Sequence, residues 1–465
     1  MWRLVSRQKR SPFCCNWHQR KKLEPPHVQA PVGQAALREQ ASLHLHRIQH
    51  SPMANCKYSF QLPMFIAIFT LVALSSCWCE AYSYGSSSSS FVQTRGSQFV
   101  LDGRPLYVNG FNAYYLSYAA IDSPEEASNI LQQAAGMGLT LCRTWAFKDG
   151  GYHAMQVSPG VYDESAFKAL DFVLKEAARH GMRVILSLVD NYQDMGGKAQ
   201  YVQWAREAGV SIFGGDDEFF TNPVVKSYFK NYVKDVIMRV NTFTGVAYKD
   251  DPTIFAWELM NEPRCPSDRS GDALHGWIEE MSSYVKSIDG NHMVEAGLEG
   301  FYGPWSEDKQ HFNPPGANLA TGTDYIRFSQ ISTIDFTTVH SYPDIWLGGQ
   351  SFEQQLEFFK AWVGAHMSDG SIVKKPLLFT EFGLSKLVQG SAVEERRVAL
   401  FSALYATVYS SAMNGGPVAG ALVWQLCTQA VEGTMVTDGY GVSSLDSSLT
   451  SLISLQSQKL SELSR

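Results

Sequence analysis

The sequence lacks most of the signatures by which catalytic and structural classes are recognised. It has no HExxH metal motif, no serine nucleophile elbow and no Gly-rich phosphate turn at a strand end. Only Cys142, Cys265 and Cys427 lie after residue 81, so there is neither a disulfide framework nor zinc-ligand spacing. At most one bridge can form there; Cys265 and Cys427 both follow predicted strands and could meet. No motif indicates a cofactor or a metal ion.

Positive charge is also scarce in most of the chain. Residues 1–81 hold ten of the 38 Lys and Arg residues but only three of the 45 Asp and Glu residues. The remaining 28 basic and 42 acidic residues give the body a formal net charge of −14. A protein with this net negative charge lacks the basic surface that binds the phosphates of nucleic acid, so a nucleic-acid partner is not expected and a neutral ligand is favoured.

No apolar run is long enough for a membrane-spanning helix, but one has the length found in secretory signals. Lys57 precedes an apolar run of 11 residues, 64–74, and small residues then lead to a cleavage site near Cys79 or Ala81. Residues 53–81 are therefore predicted to be a signal peptide, with a signal anchor as the alternative. The protein is expected outside the cell, without stable membrane association once the signal is removed.

The predicted signal divides the chain into four parts. Residues 1–52 form a basic extension without apolar periodicity; because signal peptides start at the N-terminus, Met53 is the expected native start. An organelle presequence is the alternative interpretation of this extension. Residues 82–96 form a Ser-rich spacer, and residues 97–465 are expected to form a single catalytic domain.

The body alternates between apolar strands and amphipathic helices. Eight strands, each followed by a helix or helix-like segment, occupy about 365 residues, which predicts an α/β fold of the (β/α)8 TIM-barrel type. A doubly wound open sheet is the alternative, although it usually carries an early phosphate turn. Ser123 is predicted to cap a helix, residues 223–244 to be helical, and residues 300–330 to form a long loop.

In such a barrel the catalytic side chains lie at the carboxyl ends of the strands. Strand three ends more loosely than the others, at residues 190–192. The remaining polar and aromatic strand ends hold an arginine, two glutamates, a histidine, a tyrosine and two tryptophans: Arg143 to Trp145, Asn261 and Glu262, His340 to Tyr342, Glu381, and Trp424 and Gln425.

Two carboxylates with aromatic walls are what glycoside cleavage requires. One carboxylic acid protonates the leaving oxygen, while the other attacks the anomeric carbon or activates water. A single strand-end glutamate could instead cap a helix or pair with arginine, and a lone buried histidine or tryptophan is more often part of the core. The combination of Glu262 and Glu381 with the residues between them favours carboxylate chemistry.

Five segments together resemble glycoside hydrolase family 5, and within it the plant endo-β-1,4-mannanases. They are "RTWAF", "WELMNEP", "VHSYPD", "FTEFG" and "VWQL", and the similarity runs from about Ser97 to the end of strand eight. The resemblance implies that Glu262 is the general acid/base and that Glu381 is the nucleophile of a retaining mechanism. The segment after strand eight departs from the subfamily pattern, which leaves the substrate subsites there undefined.

The same resemblance implies a set of residues that bind the substrate or hold the nucleophile. Those residues are Asn261 on the sugar 2-hydroxyl, Arg143 and Tyr342 on the nucleophile, His340 beside the acid/base, Trp424 under the sugar and Trp145 as a cleft wall. A cation and a donor beside Glu381 should lower its pKa, whereas the surroundings of Glu262 should raise the pKa of that acid. Retention predicts carboxyl groups about 5–5.5 Å apart.

The segment Phe255 to Pro263 contains a second glutamate, Glu258, four residues before Glu262. Both lie on the same face of an ideal strand, but Glu258 is mid-strand and should lie deeper in the barrel. We expect it to be a structural charge, satisfied by Arg143 or another interior partner.

The expected activity is secreted endo-hydrolysis of β-1,4-mannosidic bonds in mannan, glucomannan and galactomannan, with a polysaccharide as partner. Two alternatives remain open: the same chemistry on β-1,4-glucan, and an inactive carbohydrate-binding barrel. Inactive barrels of this kind usually lack one of the two glutamates, and both are present here. The sequence gives no indication of oligomeric state.

Overall fold

The computed structural model describes residues 90–315, 321–387 and 392–465. These residues fall within one compact unit, 84–465. The predicted N-terminal extension (1–52), the predicted signal peptide (53–81) and most of the predicted spacer (82–96) lie outside the described residues. Within the described part of the chain, no helix combines the length and apolarity needed to cross a bilayer.

Eight parallel strands form the central sheet, in the order β10-β9-β8-β5-β4-β13-β12-β11. Two backbone hydrogen bonds between the chain around β10 and the chain around β11 close the sheet: Asp335 N–H donates to the Val294 carbonyl at 2.8 Å, and His340 N–H to the Glu299 carbonyl at 3.0 Å. The predicted (β/α)8 barrel is confirmed. The strands of the described chain are β1 Gln93–Arg95, β2 Gln98–Leu101, β3 Arg104–Leu106, β4 Val108–Asn112, β5 Leu141–Trp145, β6 Gln156–Ser158, β7 Val161–Tyr162, β8 Arg183–Ser187, β9 Ile254–Glu258, β10 Met293–Glu295, β11 Thr337–Ser341, β12 Leu377–Phe382 and β13 Val418–Val423.

Helices follow the barrel strands and cover the outside of the sheet. Ser123 caps its helix as predicted, since its hydroxyl accepts from the Glu126 N–H. The helices are α1 Leu116–Asp122, α2 Pro124–Gly136, α3 Glu164–Arg179, α4 Gly197–Glu207, α5 Glu218–Thr221, α6 Pro223–Met238, α7 Asp272–Ile288, α8 Tyr325–Ser329, α9 Pro343–Trp346, α10 Phe352–Val373, α11 Val393–Met413 and α12 Ser447–Leu463, with 3₁₀ segments at Tyr248–Asp250 and Pro304–Phe312.

Two predictions of local structure were wrong. Helix α6 ends at Met238 instead of continuing to residue 244. The reason is that the Asn241 side chain accepts from the N–H groups of Phe243 and Thr244. The turn that these bonds close competes with continued helical hydrogen bonding. The region 300–330 is not simply a loop, because it contains the 3₁₀ segment that starts at Pro304 and the short helix α8.

The amino ends of the barrel strands are closed by the antiparallel sheet β1-β2-β3. Phe99 of β2 is wholly buried there and packs edge-on against Phe255 and Phe336, at centroid distances of 5.1 and 5.2 Å. Burying such a ring contributes about 1.5–3 kcal/mol. Since this end is filled by apolar side chains, polar chemistry is confined to the opposite, carboxyl end.

All three cysteines of the body are buried free thiols. Cys265 follows β9 and Cys427 follows β13, and the sheet order puts β8, β5 and β4 between those two strands. The two thiols therefore belong to separate parts of the barrel, and the pairing considered from sequence does not form.

Candidate active site

Arg143 of β5 organises the centre of the barrel, and its five N–H groups all have partners. Nε and Nη2 donate to the two oxygens of Glu258, at 2.6 and 2.7 Å. Nη1 donates to Glu381 at 2.6 Å and to Asn112 at 3.0 Å, while Nη2 also donates to Asn261 at 2.7 Å. Because the guanidinium is planar and wholly buried, these bonds fix the positions of carboxylates at two depths of the barrel. The expectation that Arg143 satisfies Glu258 is confirmed.

Glu381 lies near the end of β12 with both carboxylate oxygens engaged. Oε1 accepts from Arg143, and the Tyr342 hydroxyl donates to Oε2. His340 Nδ1 lies 3.6 Å from the same Oε2. A carboxylate held by a cation and a hydroxyl has a fixed orientation, which suits a group that must attack a single atom.

Glu262 lies where the chain leaves β9, and its backbone is left-handed, with φ of +49°. Its N–H donates to the Gly297 carbonyl at 3.0 Å, which helps to hold this uncommon conformation. Oε1 is 2.6 Å from His340 Nδ1, and Oε2 accepts from the Tyr192 hydroxyl at 2.6 Å. Arg264 Nη2 lies farther away, at 3.8 Å from Oε2.

The pKa values of the two carboxylates are shifted in the opposite sense to the expectation from sequence. Burial raises the pKa of Glu381, and the nearby positive charges of His340 and Arg143 offset it only partly. Burial also opposes ionisation of Glu262, but the pKa of Glu262 is nevertheless lowered to about 2. The causes are the hydrogen bond and charge of His340, together with donors that the sequence did not reveal. The expectation was wrong because it did not weigh the burial of Glu381 and because, of the groups around Glu262, it included only His340.

Asn261 is held at both ends of its amide. Its oxygen accepts from Arg143, and its nitrogen donates to Asp190 Oδ1 at 3.0 Å. Asp190 is buried, and desolvation raises its pKa to about 7, although the bonds from Asn261 and from the Tyr192 N–H act in the opposite direction. The amide therefore has one defined orientation, as needed to recognise a particular hydroxyl.

An aromatic wall stands beside these polar groups. The rings of Tyr114 and Trp424 are stacked, with centroids 5.7 Å apart and planes 9° apart. Trp145 is tilted against Trp424 at 6.4 Å and lies under the Arg143 guanidinium at 4.7 Å. The structure thus brings together all eight residues singled out in the sequence. The wall is flat and apolar, which is the kind of surface on which a ring-shaped ligand can stack.

The segment after β13 supports this wall. Asp438 Oδ2 accepts from the Trp424 indole at 2.9 Å, and the Met435 carbonyl accepts from the Tyr114 hydroxyl at 2.8 Å. Tyr440 packs edge-on against Tyr342 at 5.2 Å. This segment therefore supports the aromatic rings of the site.

Two of the donors around Glu262, Tyr192 and Arg264, were not predicted as site residues. Tyr192 was noted only as part of a loose strand end, and its hydroxyl reaches Glu262 from the loop after β8. Arg264 immediately follows the Asn-Glu-Pro motif and is paired with Glu299 at 2.7 and 2.5 Å. The signal available in the sequence was position, because Tyr192 lies a few residues after the end of β8 and Arg264 a few residues after the end of β9.

Glu262, His340 and Glu381 also have the spacing of a metal-ligand set. One ligand atom from each lies within 4.8 Å of the others, and no other group of the described residues meets this criterion. A divalent ion bound here would have to displace the hydrogen bonds to His340, Tyr192 and Tyr342. It also follows from this spacing that one oxygen of Glu262 lies within 4.8 Å of one oxygen of Glu381.

Residues 89–434 match a family profile described as GH family 5 beta-mannosidase-like. A mannan endo-1,4-β-mannosidase of Arabidopsis thaliana is 48% identical over 402 residues, covering 85% of this chain and 91% of the relative. Another mannan endo-1,4-β-mannosidase, from rice (Oryza sativa subsp. japonica), is 52% identical over 392 residues, or 83% of this chain and 89% of the relative.

Solved structures of mannanases are also similar to this chain. The endo-1,4-β-mannanase of Rhizomucor miehei is 32% identical, with a TM-score of 0.68, and the match covers 80% of this chain and all of that one. The endo-β-1,4-mannanase of Thermotoga petrophila is 31% identical, with a TM-score of 0.67, over 77% and 78% of the two chains.

Proposed function

The chain belongs to glycoside hydrolase family 5, among its β-mannosidase-like members, and on that premise we propose that it is an endo-β-mannanase. It would hydrolyse internal β-1,4-mannosidic bonds in mannan, glucomannan and galactomannan. The supporting observation is the pair of carboxylates, Glu262 and Glu381, within 4.8 Å of each other beside an aromatic wall. The relatives named above, about half identical to it, carry the names of mannan endo-1,4-β-mannosidases.

In the first step Glu381 attacks the anomeric carbon while Glu262 gives its proton to the glycosidic oxygen. The leaving sugar departs with that proton, and the other sugar stays bound to Glu381 as an ester. Arg143 and Tyr342, both bonded to Glu381, keep its attacking oxygen oriented. Their positive charge and hydroxyl also stabilise the carboxylate when it is released again.

In the second step Glu262, now a carboxylate, takes a proton from a water molecule. The resulting hydroxide attacks the anomeric carbon and frees Glu381, so two inversions give net retention. An inverting enzyme needs carboxyl groups about 6.5–9.5 Å apart, to leave room for water between them. The shorter approach of Glu262 and Glu381 supports the retaining mechanism.

The neighbouring groups are assigned to the sugar at the point of cleavage. Asn261 would contact the 2-hydroxyl, since its amide is already oriented by Arg143 and Asp190. Trp424 would stack under the ring, and Trp145 would form a wall of the cleft. His340 would hold the acid/base Glu262 through the 2.6 Å contact.

The test of this function is product analysis of the purified enzyme on mannan and on cellulose, with a Glu381→Ala variant as control. Release of a ladder of manno-oligosaccharides from mannan alone, abolished in the variant, is expected. Turnover of cellulose instead would favour the β-1,4-glucan alternative. No turnover of either polymer would favour an inactive carbohydrate-binding barrel.

We also propose that the enzyme is secreted to the cell wall. The support is the sequence of residues 53–81, with its short apolar run and small residues before Ala81. N-terminal sequencing of the protein recovered outside plant cells would identify the start, which should lie shortly after Cys79 or Ala81. A mature protein that retains residues 1–52 would contradict both the signal and the start at Met53.

A further inference from the structure

The surroundings of Glu262 conflict with the task of a general acid. His340 contacts Oε1 and the Tyr192 hydroxyl donates to Oε2, so both oxygens take part in hydrogen bonds. Donors to a carboxylate stabilise its ionised form. A group that must carry a proton to the glycosidic oxygen is thus held in the state that lacks one, and one of the donors must move for the first step.

The donors differ in how firmly they are held. His340 is wholly buried on β11, and Arg264 is fixed by two bonds to Glu299. Tyr192 is 39% exposed and belongs to the loop that follows β8. Its backbone is anchored to Asp190, but its side chain reaches Glu262 through the hydroxyl. Tyr192 is therefore the donor that an incoming sugar can displace.

We propose that Tyr192 is a positioning residue that couples the protonation of Glu262 to occupancy of the leaving-group side of the cleft. While that side is empty, the Tyr192 hydroxyl donates to Oε2 and Glu262 remains a carboxylate. When the leaving sugar enters, the hydroxyl moves away and Oε2 becomes free to hold a proton. This inference rests on the proposed function, in which Glu262 is the acid/base.

The proton balance follows the two steps of the reaction. Oε2 takes a proton from solvent once Tyr192 has moved, and passes it to the glycosidic oxygen as that carbon–oxygen bond breaks and the bond to Glu381 forms. The leaving sugar departs and Tyr192 returns, which restores the carboxylate form of Glu262 that must act as base. Because a carboxylate oxygen has two lone pairs, Oε2 can accept from Tyr192 and from the attacking water together. Water then supplies a proton to Glu262 and hydroxide to the anomeric carbon, and the proton on Glu262 returns to solvent.

Other titratable groups also face Glu262 and must stay unchanged in any test. Two of them lie on β11 and β12, and the others lie in the segments that follow β8, β9, β10 and β11: His340, Glu381, Asp190, Arg264, Glu299 and Tyr342. Tyr192→Phe removes one hydroxyl and leaves all of these in place. A change in the pH profile of that variant therefore reports the Tyr192 donor itself.

The experiment compares pH profiles of kcat/KM and kcat on mannohexaose for the wild type, Tyr192→Phe and Tyr152→Phe. The profile of kcat/KM reports the free enzyme and that of kcat the substrate complex. Losing a donor to a carboxylate should raise the pKa of Glu262 by about one unit in the free enzyme, which moves the optimum of kcat/KM upward by about half a unit. The optimum of kcat should not move, because substrate has already displaced the hydroxyl.

In the wild type the optimum of kcat should accordingly lie above that of kcat/KM, and in Tyr192→Phe the two should coincide. Tyr152 is 72% exposed, so its variant is the matched control and should behave as wild type. Equal movement of both optima, or movement of neither, would overturn the coupling. A Glu262→Gln variant separates this failure from that of the proposed function: full activity of Glu262→Gln would reject the acid/base assignment itself.

A crystal structure of Glu381→Ala with mannohexaose across the cleavage point provides a second measurement that does not depend on turnover. The coupling predicts that the Tyr192 hydroxyl has left Oε2 and that a sugar oxygen occupies its place. A Tyr192 hydroxyl still bonded to Glu262 beside a bound leaving sugar would contradict it.

Discussion

The barrel contains two layers of charged residues that share Arg143 but differ in whether their partners can be exchanged. In the interior layer, Glu258 has both oxygens bonded to the buried guanidinium. In the mouth layer, Glu262 is held partly by Tyr192, whose side chain is 39% exposed. Two glutamates four residues apart thus differ in role: one has only permanent protein partners, while the other has a partner that substrate can replace.

The interior layer also illustrates how burial controls charge. Glu295 is wholly buried next to Glu258, and burial together with the charge of Glu258 raises its pKa well above the ordinary value. Glu258 has Arg143 as counter-ion, and its pKa is lowered although burial acts in the opposite direction. Ionisation is thus favoured at Glu258 by its counter-ion and disfavoured at Glu295 by burial and by the neighbouring charge.

The largest effect should come from the mouth layer, with Glu381→Ala. Without a nucleophile no ester forms, so kcat on mannan should fall by about 10⁴-fold or more, while binding of manno-oligosaccharides persists. Initial rates and calorimetric titration with mannohexaose measure the two quantities. Glu357→Ala, at an exposed position on α10, is the control. Retained turnover in Glu381→Ala would remove this residue from the nucleophile role.

Glu262→Ala should have a large effect that depends on the leaving group. Loss of the acid should slow hydrolysis of manno-oligosaccharides by about 10²–10⁴-fold, but affect activated aryl mannosides far less, because their leaving groups need no proton. Single-turnover rates on both substrate types measure the first step. An equal loss on both would count against an acid role.

Glu258→Ala should mainly lower the free energy of unfolding, because Glu258 takes no direct part in the reaction. Removing this carboxylate leaves Arg143 buried without its bidentate partner, and breaking a buried ion pair in this way costs about 3–5 kcal/mol. Urea unfolding at pH 7 should show this decrease in the free energy of unfolding, with a much smaller one for Glu262→Ala. Similar stability losses in the two variants would remove the distinction between the layers.

A last effect is expected on the pH dependence of stability, with Asp190→Asn. The folded pKa of about 7 lies above the ordinary value, so the folded state binds more protons between about pH 4 and 7. The stability from Asp190 is thus complete below this window and is lost as pH rises through it, by up to about 1.4 kcal/mol per pH unit. Asparagine can still accept from Asn261, so Asp190→Asn should flatten that decline.

Urea unfolding between pH 4 and 8 measures the slope for the wild type and Asp190→Asn. Asp250→Asn, at an exposed position, should retain the wild-type slope. If Asp190→Asn were as steep as the wild type over this window, the raised pKa of Asp190 would be contradicted.

Sequence was a good guide where a property follows from position along a strand. Apolar runs indicated the barrel, and the strand ends brought together Arg143, Glu262 and Glu381 because all parallel strands end at the same edge. The depth of Glu258 followed from the same reasoning, since it lies before the strand end. These features depend on periodicity and spacing, which a single chain displays directly.

Sequence was a poor guide where a property depends on which side chains meet across loops. The pKa of Glu262 is set by His340 and by donors such as Tyr192, whose loop conformation no periodicity records. Support of the Trp424 indole by Asp438 likewise depends on how the segment after β13 folds. The early end of α6 reflects the turn closed by the Asn241 side chain, which a hydrophobic pattern does not reveal.

The most direct test of the account is to trap the ester on the nucleophile. The wild-type enzyme is incubated with an activated 2-deoxy-2-fluoro-β-mannobiosyl fluoride, which slows the second step, and the labelled peptide is sequenced by mass spectrometry. A retaining mechanism with Glu381 as the nucleophile predicts one mannobiosyl label, on Glu381, and loss of the label in Glu381→Ala. A label on Glu262 or another carboxylate, or turnover without a label and with inverted anomeric configuration, would contradict it.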